Sequence, residues 1–267
     1  MSKLTKLEIK THDQAVALLE RGSLTEEECR FVFGNFREDA NHVNSKAGAF
    51  FTPLGLARDL TFHIPYLHGQ TTRVIDMCAG IGALGWAAWI VDKRWSRCTV
   101  DITCVEINPD YVEIGKKLLP QANWICGDVL DPELLNGLGR FDYAVSNPPY
   151  GAVQSPHRRH YKDGQFEYMV IEAAAQIADG GAFLVPQMSA PFCYSGKVYP
   201  DWFSKICRAS RFEDKTGIVL DFNTGFDTEG YKDDWHGTAP TCEIVCCDFT
   251  ELAQQSEQLS FASLCPV

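Results

Sequence analysis

The sequence predicts an α/β protein: a doubly wound, mostly parallel sheet with an antiparallel edge strand and an N-terminal helical extension. Three observations carry this. Between about residues 70 and 186, apolar segments of strand length alternate with helical stretches. Alternation through short connections builds a parallel sheet with helices on both faces. Two later apolar segments, "TGIVLDF" and "TCEIVCCDF", have no clear helix between them, which predicts an antiparallel edge. Before residue 48 the signals are helical, with the capping box Thr25-Glu26-Glu27-Glu28 ahead of Phe31, Val32 and Phe36.

The elements follow in order. Residues 1–47 form the extension, residues 48–250 one domain, and residues 251–267 a tail. Within Ala47–Ile64, Pro53 suits the first position of a helix capped by Thr52. "TRVIDMC" reads as a strand and "GALGWAAWIVD" as a helix; "VDITCVEI" and "PDYVEIGKKLLP" repeat the pair. "NWICGDV" and "FDYAVSN" are strands three and four, "QFEYMVIEAAAQIAD" a helix and "GAFLVP" a strand. "YPDWFSKICRAS" is read as helical, and the two late strands close the pattern.

Composition excludes several classes. At 267 residues, with 45% hydrophobic and 22% charged, the chain has the make-up of a folded globular domain. The N-terminus lacks the apolar core of a secretory signal and "GALGWAAWIV" is too short to span a bilayer, so a cytoplasmic protein without membrane contact is expected. The 11 cysteines are dispersed without a C-x-x-C pair or a Cys/His grouping at zinc spacing, so reduced thiols and no metal are expected. Cys246 and Cys247, adjacent in a strand, should face opposite ways. The net charge of −11 opposes a polyanionic partner, but residues 216–267 hold one Lys/Arg against nine Asp/Glu, so the acidity is concentrated there. The one dense basic run, "HRRHYK", follows closely on "NPPY".

In doubly wound sheets the ligand lies beyond the carboxyl ends of the strands, near the point where strand order reverses. The unusual residues all fall at such ends. "VIDMCAGIGALG" runs from a strand into Asp76, then into a turn whose Gly80 and Gly82 let the backbone approach a ligand closely. Glu106 ends the second strand, where a carboxylate can accept both hydroxyls of a ribose. Asp128 ends the third. At the fourth, "SNPPY" cannot continue a central strand or a helix, because prolines lack the N–H and fix φ. It presents carbonyls, one amide (Asn147) and one aromatic ring (Tyr150). A dinucleotide oxidoreductase would share the first two features but has no use for the fourth, and the glycine spacing matches its fingerprint only in part. A nucleoside ligand that is not a dinucleotide fits better. In S-adenosylmethionine, Glu106 would take the ribose, Asp128 the adenine amino group and the Gly80–Gly82 turn the methionine portion.

The order "FFTP", "DMCAGIGALG", "VEI", "GDVL", "NPPY" resembles the class I S-adenosylmethionine-dependent methyltransferases, and most of all the DNA adenine-N6 methyltransferases, over roughly Gly48 to Pro186. The resemblance implies a Rossmann-like methyltransferase fold. It places Thr52 and Pro53 on the cofactor pocket with Asp76, Ala79, Gly80 and Gly82. From the later strand ends it adds Glu106, Ile107, Asp128, Val129 and Asn147. It makes Asn147, Pro148, Pro149 and Tyr150 the catalytic turn, in which Asn147 and the Pro148 carbonyl accept the N–H bonds of the target amine. Tyr150 would stack on the base. Arg158, Arg159 and Lys162 are placed to hold phosphates of a nucleic-acid substrate, DNA before RNA. The segments after the core strands are short for a target-recognition domain, so weak sequence preference or a partner subunit is expected. Methylation of RNA adenine or of a protein glutamine side chain, and a non-catalytic cofactor-binding subunit, stay open as alternatives.

Overall fold

The structure, a computed structural model, describes residues 4–37, 50–66, 68–95, 99–157, 161, 164–201, 207–237 and 239–252. Two N-terminal helices, α1 (Lys6–Leu19) and α2 (Glu26–Asn35), each begin with a capping box: Thr5 pairs with Glu8, and Thr25 with Glu28. They bury Leu19, Cys29, Val32 and Phe33 against the main body, where Phe33 meets the Trp86 ring at 5.5 Å.

The main body is a seven-stranded sheet. Its strands are β1 (Thr71–Asp76), β2 (Thr99–Glu106), β3 (Asn123–Cys126), β4 (Tyr143–Ser146), β5 (Gly180–Pro186), β6 (Asp221–Phe222) and β7 (Cys242–Asp248), in the order β3-β2-β1-β4-β5-β7-β6. The first five are parallel, and β7 runs antiparallel to both β5 and β6. The expected antiparallel edge is thus present, with its reversed strand one place in from the margin. The order reverses between β1 and β4, so the carboxyl ends of these two strands open the crevice that doubly wound sheets use for ligands.

Residues alternate between the two faces, as buried strands require. Ile75, Val105, Ala144, Phe183 and Val185 point to one face, covered by α6 (Pro132–Leu138), α7 (Phe166–Ile177) and α8 (Cys207–Thr216). Val74, Ile102, Cys104, Val145, Ala182 and Leu184 point to the other, covered by α3 (Leu54–Thr61), α4 (Ala83–Trp95) and α5 (Pro109–Leu118). Cys247 joins the first cluster and Cys246 packs on the second, opposite ways as expected. Eight cysteines among the described residues are free, and none of the described helices is long and apolar enough to cross a membrane.

Three local expectations are corrected. Pro53 is the N-cap of α3 rather than its first residue, and no side chain caps that helix; the Thr52 hydroxyl is engaged elsewhere. Of "TGIVLDF" only Asp221–Phe222 pairs as strand, because Thr216 ends α8 and Gly217, at φ +71°, turns the chain out of the helix. Of "YPDWFSKICRAS", Tyr199 and Pro200 are not helical, since the backbones of Cys193 and Asp201 pair in both directions and close a turn; residues 202–206 lie outside the described residues, and Cys207–Ser210 are helical as expected, in α8. Helix α6 was not anticipated, although Asp131 caps it and Pro132 fills its first turn.

Candidate active site

β1 delivers Asp76 to the floor of the crevice, and residues 77–82 turn above it into α4. Gly80 (φ +55°) and Gly82 (φ +97°) lie in the left-handed region. A Cβ on Gly80 would stand 3.2 Å from the Phe51 ring, so glycine keeps open the gap between the turn and Phe51. The Gly80 amide donates to Glu106 Oε2 at 2.8 Å, and the Asn108 amide donates to Oε1 at 2.8 Å. Burial raises the Glu106 pKa and these amides pull it back. Asp76 is 0% exposed and neither oxygen has a hydrogen-bond partner among the described residues. Burial pushes its carboxyl up to about 7, although the nearby Gly85 and Cys78 amides work against that.

Beyond the turn lies a cavity of about 230 Å³. Gly80, Glu106, Ile107, Asp128, Val129, Asn147 and Pro149 line it, with Phe50, Phe51, Cys78 and Tyr111. A smaller recess of about 20 Å³ continues along the glycine turn past Thr52, Ala79 and Asn147. The expected cofactor residues Pro53, Asp76 and Gly82 are not on these walls: Pro53 starts α3, Asp76 lies at the end of β1, and Gly82 faces Trp124. Asp128 accepts from the Leu130 amide and from the Ser155 hydroxyl, each at 2.9 Å.

At the end of β4, Asn147 is clamped on three sides. Its Nδ2 donates to the Phe50 carbonyl and to Thr52 Oγ1, each at 2.9 Å, while its Oδ1 accepts from the Tyr150 hydroxyl at 2.9 Å. A carbonyl can only accept, so the amide nitrogen must face Phe50 and the orientation is settled. Burial holds the Tyr150 phenol well above its usual pKa, which keeps it a donor. The turn is also tied from beneath: the Gly151 amide (φ +81°) donates to Glu167 Oε2 at 3.0 Å, and Ser189 Oγ donates to Oε1 at 2.8 Å.

Asn147 and Pro149 therefore share one cavity with Glu106 and Asp128, while Pro148, between them in the chain, is buried. Tyr150 directs its hydroxyl to Asn147 and its ring toward Phe50, with centroids 6.3 Å apart. Arg158, Arg159 and Lys162 lie outside the described residues. Phe192 is 3% exposed against Phe222 and belongs to the core. Sequence reasoning missed Phe51, Tyr111, Ser155 and Glu167. The two phenylalanines before Thr52 were a usable signal. Ser155 and Glu167 carry none, because their partners lie 27 and 16 residues away.

The sequence profile of the methyltransferase small domain matches residues 57–191, half of the chain, and the protein belongs to that family. The Type II methyltransferase M.BsuBI of Bacillus subtilis is 25% identical over 173 residues, 54% of this chain and 34% of that protein. Release factor glutamine methyltransferase of Corynebacterium glutamicum is 36% identical over 88 residues, 30% of this chain and 29% of that protein. Human interleukin-1 receptor-associated kinase 3 is 31% identical over 126 residues, 45% of this chain and 20% of that protein. The chain thus spans a fifth to about a third of the length of these curated relatives. Two solved structures share the fold. One, assigned as a class I S-adenosylmethionine-dependent methyltransferase of Listeria monocytogenes, has TM-score 0.55 and 16% identity over 86% of this chain and 69% of that one. The other, the type I restriction-modification methyltransferase subunit of Streptococcus thermophilus, has TM-score 0.56 and 17% identity over 84% and 48%.

The cofactor is S-adenosylmethionine, and the residues present fit it. The cavity is apolar for most of its wall and carries carboxylates at two strand ends, as a nucleoside needs. The recess along Gly80 is space that a Cβ would narrow.

Proposed function

We propose that the protein transfers the methyl group of S-adenosylmethionine to the exocyclic N6 amine of adenine in DNA. The observation that carries this reading is the clamped Asn147 amide on the cofactor cavity. Both of its hydrogens are spent on Phe50 and Thr52, so toward a substrate it offers only an acceptor. When bound, the cofactor supplies an electrophilic methyl group on a sulfonium sulfur. Glu106 receives the ribose hydroxyls, and Asp128 the adenine amino group. Thr52, Ala79 and Gly80 border the methionine portion. An arylamine is a weak nucleophile because its lone pair is delocalised into the ring. Asn147 Oδ1 and the Pro148 carbonyl accept its two N–H bonds, return density to nitrogen and aim the lone pair. These acceptors need no reorganisation at the moment of reaction, since three hydrogen bonds and two prolines hold them beforehand. Tyr150 offers its ring to the flipped base, and Arg158, Arg159 and Lys162 hold the flanking phosphates. Residues 48–250 form the catalytic unit.

A second reading is favoured by one finding, the release factor glutamine methyltransferase match. A side-chain amide has the same planar nitrogen and would use the same two acceptors. The test is transfer of labelled methyl from the cofactor to DNA, RNA and a protein extract, beside Asn147→Ala. Label in DNA as N6-methyladenine, falling about 10²–10³-fold in the variant, is expected. Label on glutamine or in RNA alone would replace the substrate, and cofactor binding without any transfer would overturn catalysis.

A further inference from the structure

Ser155 has no part in the chemistry above. It lies half-buried on the segment that leaves the Asn-Pro-Pro-Tyr turn, where Val153, Gln154, Ser155 and Pro156 form one wall of the cofactor cavity. Its hydroxyl gives its single hydrogen to Asp128 Oδ2 at 2.9 Å, and its oxygen accepts the His157 amide at 3.1 Å. The other Asp128 oxygen is held by the amide of Leu130, two residues on. A local turn of that kind leaves the carboxylate free to rotate about its last bond. A second hydrogen bond from a different element removes that freedom, and charge-assisted bonds to carboxylates are the stronger ones.

We propose that Ser155 is a positioning residue that orients the Asp128 carboxylate for the cofactor's adenine amino group, and so sets discrimination against a base lacking it. The inference rests on the adenine role given to Asp128 above. The relay from the His157 amide through Ser155 to Asp128 also ties recognition of the cofactor to the segment that runs on toward Arg158 and Arg159.

Calorimetry on the full chain with S-adenosylhomocysteine and with S-inosylhomocysteine, in which an oxo group replaces the amino group, tests this without any methyl acceptor. Ser155→Ala is expected to weaken S-adenosylhomocysteine about 10-fold while changing S-inosylhomocysteine less than about 2-fold. Ser155→Thr, which keeps the hydroxyl, is expected to restore the discrimination. If Ser155→Ala does not fold, Ser155→Cys, of similar size and a weak donor, gives the same comparison. Equal weakening of both ligands would reduce Ser155 to a wall residue and overturn the proposal, as would no change in either. A wild-type protein that binds both ligands equally would overturn the role of Asp128 and the proposal with it. Neither result depends on whether the methyl acceptor is DNA.

Discussion

Asn147 and Asp76 stand one β-strand apart and are treated in opposite ways. Three bonds saturate Asn147 except for one lone-pair direction, whereas the Asp76 carboxylate is buried with no hydrogen-bond partner among the described residues. The first arrangement gives stability and orientation together. The second costs stability, and the cost depends on pH. A carboxyl moved from an ordinary 3.8 to about 7 binds its proton more tightly in the folded state than in the unfolded one. Between those values the folded protein holds a proton that the unfolded chain has lost, so stability falls as pH rises from about 4 to 7 and is level above. The difference is on the order of 4 kcal/mol. Asp76→Asn, neutral throughout, is therefore expected to melt close to wild type at pH 4 and well above it at pH 8, with cofactor absent. Parallel melting curves across that range would show that Asp76 is solvated or paired after all.

Among the elements, the sequence was most informative where one physical cause decided the outcome. Alternating apolar strands and helices follow from hydrophobic period alone, and β1 to β5 with α4, α5 and α7 stand where the pattern puts them. It was least informative where two causes compete. The β-branched run after Thr216 has strand propensity, but Gly217 at φ +71° and the short pairing with β7 leave only two residues in the ladder. Thr52 before Pro53 has the form of a helix cap, but the Asn147 amide outbids the helix for its hydroxyl, a contact 95 residues away that no local pattern encodes. Glycines inside helices were equally silent. In α5, a Cβ on Gly115 would fall 2.0 Å from the Trp124 ring, and that ring is also braced by Gly82 and by its bond to the Leu119 carbonyl. In α6, Gly137 has nothing within 4 Å. Alanine gains up to about 1 kcal/mol over glycine in a helix, while overpacking costs about 1–3. Gly137→Ala should thus raise the melting temperature slightly. Gly115→Ala should lower it by about 2–6 °C, read in the same thermal scan. Equal shifts would mean that Trp124 can move aside.

At the scale of the molecule the question is how a chain of net charge −11 could hold a polyanion. The acidity is not spread evenly: the part that contains β6 and β7, residues 216–267, has one Lys/Arg against nine Asp/Glu. Such carboxylates repel phosphate, and they are not all remote from the site: Asp221, Glu243 and Asp248 lie on β6 and β7, at the far end of the sheet order from β3, but Asp233 and Asp234 directly precede Trp235, whose ring meets that of Phe50 on the cavity wall at 6.3 Å. Attraction must then come from a local source, and in the sequence the run Arg158, Arg159, Lys162 comes one residue after the wall segment Val153–Pro156. Local charge has a signature that total charge does not. Each phosphate neutralised releases counterions, and the logarithm of affinity falls with the logarithm of salt concentration by about 0.9 per contact on a duplex and about 0.7 on a single strand. Replacing all three residues by alanine is expected to make that slope shallower by about 2–3 for an adenine-containing oligonucleotide, with binding of S-adenosylhomocysteine unchanged within about 2-fold. An unchanged slope would move the phosphate contacts elsewhere on the surface. A wild-type protein whose binding to DNA and RNA shows no salt dependence would remove nucleic acid as the acceptor and leave the glutamine side chain as the substrate.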